Sequence, residues 1–203
     1  LIAMDAIEAA RQVAETLHKS ALKRGVDVND LLCLVQNEAE RRGIEVVAVP
    51  QGDLQLNGAR ALFDGQADII LYEDIGSDFD KAFLIAHEIG HLEIEGPSID
   101  SLTREVEPGR SAAERVVDYG SRERREIIMD LFARELLMPR SVIKHWHIDK
   151  NMASDAIAKR LKAPLAVVQQ QLIDALLLPP IISAQSAQAE LAITQSKPDK
   201  SQH

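Results

Sequence analysis

One run of five residues has both the types and the spacing for chemistry: His87-Glu88-Ile89-Gly90-His91. On a helix, positions i and i+4 lie one above the other, so both imidazoles can face a single metal ion. Glu88 sits beside the first imidazole and can reach a metal-held water without being a ligand itself. Two histidines and a carboxylate at this spacing form the arrangement of zinc-dependent peptide hydrolysis. Ser77 is an N-cap candidate and Asp80 lies in the first turn, which predicts a helix from Ser77 to about Glu93 beneath the motif.

Such a metal needs a third protein ligand and an open position for water. The lone cysteine, Cys33, does not supply it easily and reads as a buried small hydrophobe among Leu31, Leu32 and Leu34. The candidates are His18, His145, His147, His203 and the carboxylates, and Glu126 is the best of them. It opens the run Glu126-Ile127-Ile128-Met129-Asp130-Leu131-Phe132-Ala133-Arg134-Glu135-Leu136-Leu137-Met138-Pro139. Ile127, Ile128, Leu131 and Phe132 make an apolar helix face, and Glu126 and Asp130 share an adjoining stripe one turn apart. A second carboxylate there can accept the free N–H of a metal-bound histidine and fix its ring. The competing reading of Glu126 is a solvated helix charge, because Arg122, Glu123, Arg124 and Arg125 crowd the same region.

Together these two runs resemble the ImmA/IrrE family of bacterial metallopeptidases. Its pattern is His-Glu-x-x-His followed by Glu-x-x-Ala-Asn-x-Phe-Ala-x-x-Leu-Leu-Met-Pro, and the lead-in Phe83-Leu84-Ile85-Ala86 also fits. The resemblance covers residues 30–175 or so. Carried over position by position, it implies that His87, His91 and Glu126 bind Zn2+ and that Glu88 is the catalytic carboxylate. Met129 replaces the usual Ala and Asp130 the usual Asn, and Asp130 suits a role behind a ligand. The span between His91 and Glu126 is long for the family. Two histidines and one carboxylate also suit Mn2+.

The implied mechanism has the metal polarise the scissile carbonyl while Glu88 takes a proton from water and passes it to the leaving amine. An oxyanion donor is also needed, and Tyr72, Tyr119, His145 and His147 are the candidates. Bland alternatives stand beside them: a strand-end residue for Tyr72, and a partly buried helix cover for His145-Trp146-His147. A strand over 67–72 could offer its edge to an extended substrate.

The elements that must position these groups follow from periodicity. Apolar residues recur at helical spacing over 4–24 and 31–42, with Asn29 or Asp30 as cap of the second helix. Residues 44–49 are rich in β-branched side chains, and 54–63 with 67–72 read as a hairpin around Asp64-Gly65. A loop is expected over 95–120, then a helix over 122–137 capped by Ser121. Helices are also expected over 154–161 and 164–177. The resulting fold class is α+β: a zincin-like metallopeptidase core over 4–150, with a small antiparallel sheet of about three strands. A helix-turn-helix-like appendage covers 151–182 and a flexible tail 183–203.

Composition narrows the function. The chain has 203 residues with 23 Lys plus Arg against 32 Asp plus Glu, a net charge of −9. Such a surface suits non-specific nucleic-acid binding poorly. One cysteine excludes a disulfide scaffold. No signal-peptide core is visible, and the apolar stretch Ala175 to Ile182 is broken by Pro179-Pro180 and too short to span a bilayer, so a cytoplasmic protein is expected. Lys159, Arg160 and Lys162 could contact DNA, but the would-be recognition helix 164–174 carries no Arg or Lys, which favours a structural helical pair.

The expected function is therefore a zinc endopeptidase with a protein substrate. The family resemblance implies a helix-turn-helix repressor as that substrate and a role in stress, DNA-damage or mobile-element responses. A different class is a non-catalytic DNA- or protein-binding regulator, against which the intact Glu88 argues. A third reading makes the chain the N-terminal peptidase module of a helicase-linked repair or defence protein, with the tail as linker.

Overall fold

The computed structural model describes residues 6–95 and 112–178, and the side chains of 6–94 and 124–178. The tail 183–203, residues 96–111 of the expected loop, and His203 lie outside the described residues. The fold class is α+β and mostly helical. Helices α1 (Ala6–Lys23) and α2 (Leu31–Glu40) precede strand β1 (Glu45–Val49), and a 3-10 turn at Leu54–Leu56 leads to β2 (Ala61–Asp64) and β3 (Ile69–Glu73). Then come α3 (Asp78–Glu95), α4 (Ala112–Leu137), α5 (Arg140–Lys144), a π-turn at His145–Asp149, α6 (Ser154–Leu161) and α7 (Leu165–Leu177).

The sheet is mixed, a correction to the expected antiparallel one. Its order is β1-β3-β2: β3 pairs antiparallel with β2, placing Phe63 opposite Ile70, and parallel with β1, placing Val47 opposite Leu71. The tight turn after Asp64 dictates the hairpin. The stretch from Pro50 to Arg60 is long enough to cross one strand's width, so β3 slots between β1 and β2. Of the expected 54–63 strand only 61–63 is extended, because Asp53 caps the turn at Leu54–Leu56 and Asn57 closes it with φ of 48°.

Helix boundaries follow their caps. Asp30 accepts from the Cys33 amide at 3.1 Å and starts α2. Leu31, Leu34, Val35 and Ala39 form its buried face, which turns Cys33 outward, so the expected burial of Cys33 is wrong. Ser77 and Asp80 form a reciprocal capping box ahead of α3: the Ser77 amide donates to Asp80 at 2.8 Å and the Asp80 amide donates to the Ser77 hydroxyl at 3.2 Å. Helix α4 begins ten residues earlier than expected and runs through Ser121. No proline interrupts 112–137, and Gly120 costs a helix interior only about 1 kcal/mol.

Helix α3 is the hub. It packs on β2 and β3, on α1 and α2, and most extensively along α4, whose other side meets α1. Ile85, Ala86 and Ile89 of α3 join Phe132, Ala133 and Leu136 of α4 in the core. Gly90 makes the close crossing of α3 and α4 possible. A Cβ there would meet Phe132 Cδ1 at 2.9 Å and Met129 Sδ at 3.1 Å. Met129 thus fills the space under this crossing.

The α6–α7 pair does not stand apart. Val168, Gln171, Leu172 and Ala175 of α7 are buried, and α7 lies against α5 and α6. Asp174 accepts from Arg11 of α1 at 3.0 Å and from Arg134 of α4, while Gln171 donates to Glu135 at 3.0 Å. Arg160 donates to Asn29 at 3.0 Å and stacks on the Trp146 ring at 4.7 Å. Of the three basic residues weighed for DNA contact, this one is committed to holding α6 in place. Among the described residues, no helix is long and apolar enough to cross a membrane.

Candidate metal centre

The helical spacing delivers what it implies. His87 and His91 point their Nε2 atoms at one another, 3.2 Å apart, from one face of α3. Helix α4 crosses at Gly90 and brings Glu126 to the same point, its Oε2 lying 3.2 Å from His87 Nε2. One ligand atom from each of His87, His91 and Glu126 lies within 4.8 Å of the others. One turn further along α4, the Asp130 carboxylate accepts from His87 Nδ1–H at 2.9 Å, which fixes the ring and aims Nε2 at the cluster.

The electrostatics fit a cation at this point. Burial works against a charged His87, yet hydrogen bonds to Asp130 and Glu126 and the nearby Glu88 overcome it and lift its pKa to about 9. The carboxylates of Asp130, Glu126 and Glu88 thus favour a positive charge on the His87 ring. The donor set of two imidazole nitrogens and a carboxylate oxygen matches a divalent metal with an open position.

Glu88 is held by the sheet. The Phe63 N–H of β2 donates to Glu88 Oε2 at 3.1 Å. Burial raises the Glu88 carboxyl above its ordinary value, against the pull of His87, His91 and the Phe63 amide. This backbone contact was not visible in the sequence, because no side-chain type marks it. It also corrects the expected strand edge. β3, which contains most of 67–72, is central and paired on both sides, whereas β2 is the edge strand beside Glu88.

The remaining expected residues have other surroundings or fall outside the described side chains. Tyr72 is buried on the central strand, where burial raises its phenol. Tyr119 falls on α4, with its side chain outside the described ones. His145 pairs with Asp149 at 2.7 Å, and His147 bonds the Met152 carbonyl at 2.8 Å. His18 is buried against α4, its Nδ1–H donating to the Leu136 carbonyl at 2.8 Å. Of the histidines, His18, His145 and His147 do not join His87, His91 and Glu126 in the metal-binding group found among the described residues.

A comparison with protein families bears on the same residues. The chain belongs to the family of the IrrE N-terminal-like domain, peptidase M78, whose model matches residues 39–172. The match spans both chemical runs and continues through α6 into α7. A search of curated proteins found no match. Membership places the chain in a metallopeptidase-type family and implies a divalent metal and a protein substrate in general.

Proposed function

We propose that the protein is a metal-dependent endopeptidase that cleaves one regulatory protein. The observation that carries this is the convergence of His87, His91 and Glu126 with Glu88 alongside, held by the edge of β2. Zinc is the proposed ion and manganese the competitor to test, with His87, His91 and Glu126 as its holders. Such an ion would polarise the scissile carbonyl and make water a nucleophile near neutral pH.

The chain's own residues do the rest. As the water oxygen bonds to the carbonyl carbon, Glu88 takes the water proton. It returns that proton to the amine nitrogen when the C–N bond breaks. A carboxyl raised by burial is better matched to this two-way transfer than an ordinary one. The Phe63 amide orients Glu88. Asp130 keeps His87 in the tautomer that presents Nε2. The edge of β2 can pair with an extended substrate backbone, which holds a peptide without dictating its sequence.

By family resemblance the substrate is a helix-turn-helix repressor, cleaved in a stress, DNA-damage or mobile-element response. The pair α6–α7 serves the peptidase as a wall and not as a reader of DNA. α7 carries no Arg or Lys, and its outer face exposes Leu165, Ile173, Leu176 and Leu177. Expression of Glu88→Gln in the source cell, with and without DNA damage, tests the proposal. The variant should bind Zn2+ as the wild type does, lose turnover by roughly 100- to 10,000-fold, and hold a repressor that wild-type cells shorten. Full biological activity of Glu88→Gln would overturn it.

A further inference from the structure

Strand β2 has little backbone to offer a partner. It is the edge strand and spans only Ala61–Asp64. In an antiparallel pair, residues alternate between bonding the partner strand and facing away from it. The Glu73 amide donates to the Arg60 carbonyl at 2.9 Å, which sets the phase of that alternation. With Ala61 opposite Tyr72 and Phe63 opposite Ile70, Leu62 and Asp64 turn their amides to β3, and Ala61 and Phe63 turn theirs to the open edge. One of these two outward amides, Phe63 N–H, already donates to Glu88 Oε2 at 3.1 Å.

That contact joins the sheet to helix α3, so the Glu88 carboxylate lies in the lane beside β2 that a paired peptide would take. Phe63 is not free to serve both. Its side chain packs against the core and its ring covers the turn at Gly65, where a Cβ would meet Phe63 Cε1 at 3.2 Å. A backbone amide carries one hydrogen to donate. Holding Glu88 and pairing with a peptide therefore exclude one another at this position.

We infer that the Phe63 amide is an exchangeable latch: it holds Glu88 before substrate arrives and passes to a substrate carbonyl when an extended peptide pairs with β2. The exchange frees the Glu88 carboxylate for the attacking water as the scissile bond is seated. Phe63 is thus a positioning residue that acts through its backbone. The inference rests on the peptidase reading and adds to it how the site is switched on. It also sets the substrate class: an extended or locally unfolded segment, and not a helix, whose carbonyls are bonded internally.

Amide exchange and kinetics on the full chain test this. Without peptide, the Phe63 amide of the Zn2+-loaded protein should exchange slowly in wild type and in Glu88→Gln, whose side-chain oxygen also accepts. In Glu88→Ala it should exchange roughly 10-fold faster or more, the worth of one hydrogen bond to a charged group. The Ala61 amide, also outward, should keep its rate and serves as the reference. A defined synthetic peptide library supplies the peptide that wild type cuts best, which is then shortened from either end. Adding the full-length peptide to Glu88→Ala should restore protection of the Phe63 amide, and the shortened peptide should not. In wild type and Phe63→Ala, shortening should lower kcat by roughly 10-fold or more, and not raise KM alone. Phe63→Pro lacks the N–H, at an outward edge position where proline is tolerated. There shortening should change kcat by less than about 3-fold. Equal Phe63 exchange in wild type and Glu88→Ala, or no protection restored by the full-length peptide, would overturn the latch and leave the peptidase reading standing. Equal kcat losses on shortening in Phe63→Pro and Phe63→Ala would do the same. No cutting of any peptide by wild type would overturn the peptidase reading and the exchange with it, whatever the resting amide rates.

Discussion

The two ends of the described part of helix α4 carry charged side chains in opposite states. Toward its start, Glu126 and Asp130 are 45% and 57% exposed and converge on His87 of α3. Toward its end, Arg134 and Glu135 are 16% and 1% exposed and are closed into contacts with α1, α5 and α7. There, Arg140 donates to Glu8 at 2.9 Å and its backbone amide donates to Glu135 at 2.8 Å. Gln171 links Glu135 to the Met138 carbonyl at 2.6 Å. The open set keeps acceptor atoms within reach of a ligand. The closed set pairs its charged groups with one another and ties four helices together, while Arg134 Nε and Arg140 Nη1 stay buried without a hydrogen-bond partner.

The largest effects should separate these roles. Glu126→Ala removes a ligand, so Zn2+ affinity should fall by more than the roughly 100-fold that a lost partner behind a ligand can cost. An exposed carboxylate contributes little to folding, so metal-free stability should stay within about 1 kcal/mol. Calorimetric titration and urea unfolding read the two numbers. Unchanged affinity would remove Glu126 from the ligand set. Arg140→Ala should do the reverse. It strips a buried cation from Glu8 and Glu135 and should cost about 3 kcal/mol or more in urea unfolding. Zn2+ affinity of the folded fraction should stay within about 3-fold. Glu135→Gln should cost less than Arg140→Ala, because burial already pushes the Glu135 carboxyl toward its neutral form. A loss under about 1 kcal/mol in Arg140→Ala would mean that the closed set is not a lock.

Asp130 sharpens the comparison, since it is exposed yet committed to a partner. Asp130→Ala frees the His87 ring and should weaken Zn2+ binding roughly 10- to 100-fold. Asp130→Asn restores the residue usual in the family and keeps an oxygen for His87 Nδ1–H, so its loss should be under 10-fold. Equal losses in both variants would show that charge matters at this position and orientation does not.

How much of this could be read from residues alone depended on the range of the interaction. The metal cluster was legible because its signal is local: i,i+4 spacing on α3 and Glu126 with Asp130 on α4. Gly90 and Phe132 form the crossing that joins the two helices, and both stand inside the quoted motifs. The turn residues marked the β2–β3 hairpin but could not show that β1 pairs with β3 in parallel, since that depends on a crossing of 50–60 over the sheet. The burial of Glu135, Arg140 and Gln171 was invisible, because polar side chains give no sign in sequence of distant partners such as Gln171 for Glu135, 36 positions away. Cys33 misled for a similar reason. Its apolar neighbours suggested burial, but the face of α2 is set by Leu34 and Val35.

The smallest prediction concerns the closed end and uses pH. His18 is buried against Leu136 of α4, and burial holds its pKa below the ordinary 6.5 despite the hydrogen bond to the Leu136 carbonyl and the charge of Glu15. In the unfolded chain His18 takes up a proton near 6.5, whereas the folded protein resists it. The unfolded state thus binds more protons at His18 below that pH, and the His18 contribution to stability falls as pH drops from 7.5 toward 5. One such group contributes a slope of at most about 1.4 kcal/mol per pH unit. Glu135 acts with the opposite sign, since its raised carboxyl favours folding at lower pH. Subtracting the stability of His18→Gln measured in parallel cancels Glu135 and the metal-site groups. The difference between wild type and variant should shrink on acidification, because Gln keeps an N–H for Leu136 and does not titrate. A difference constant with pH would mean that His18 takes up its proton as readily in the folded protein as in the unfolded chain. The closed end of α4 would then tolerate a buried charge there, and the contrast with the open end would not extend to its packing against α1.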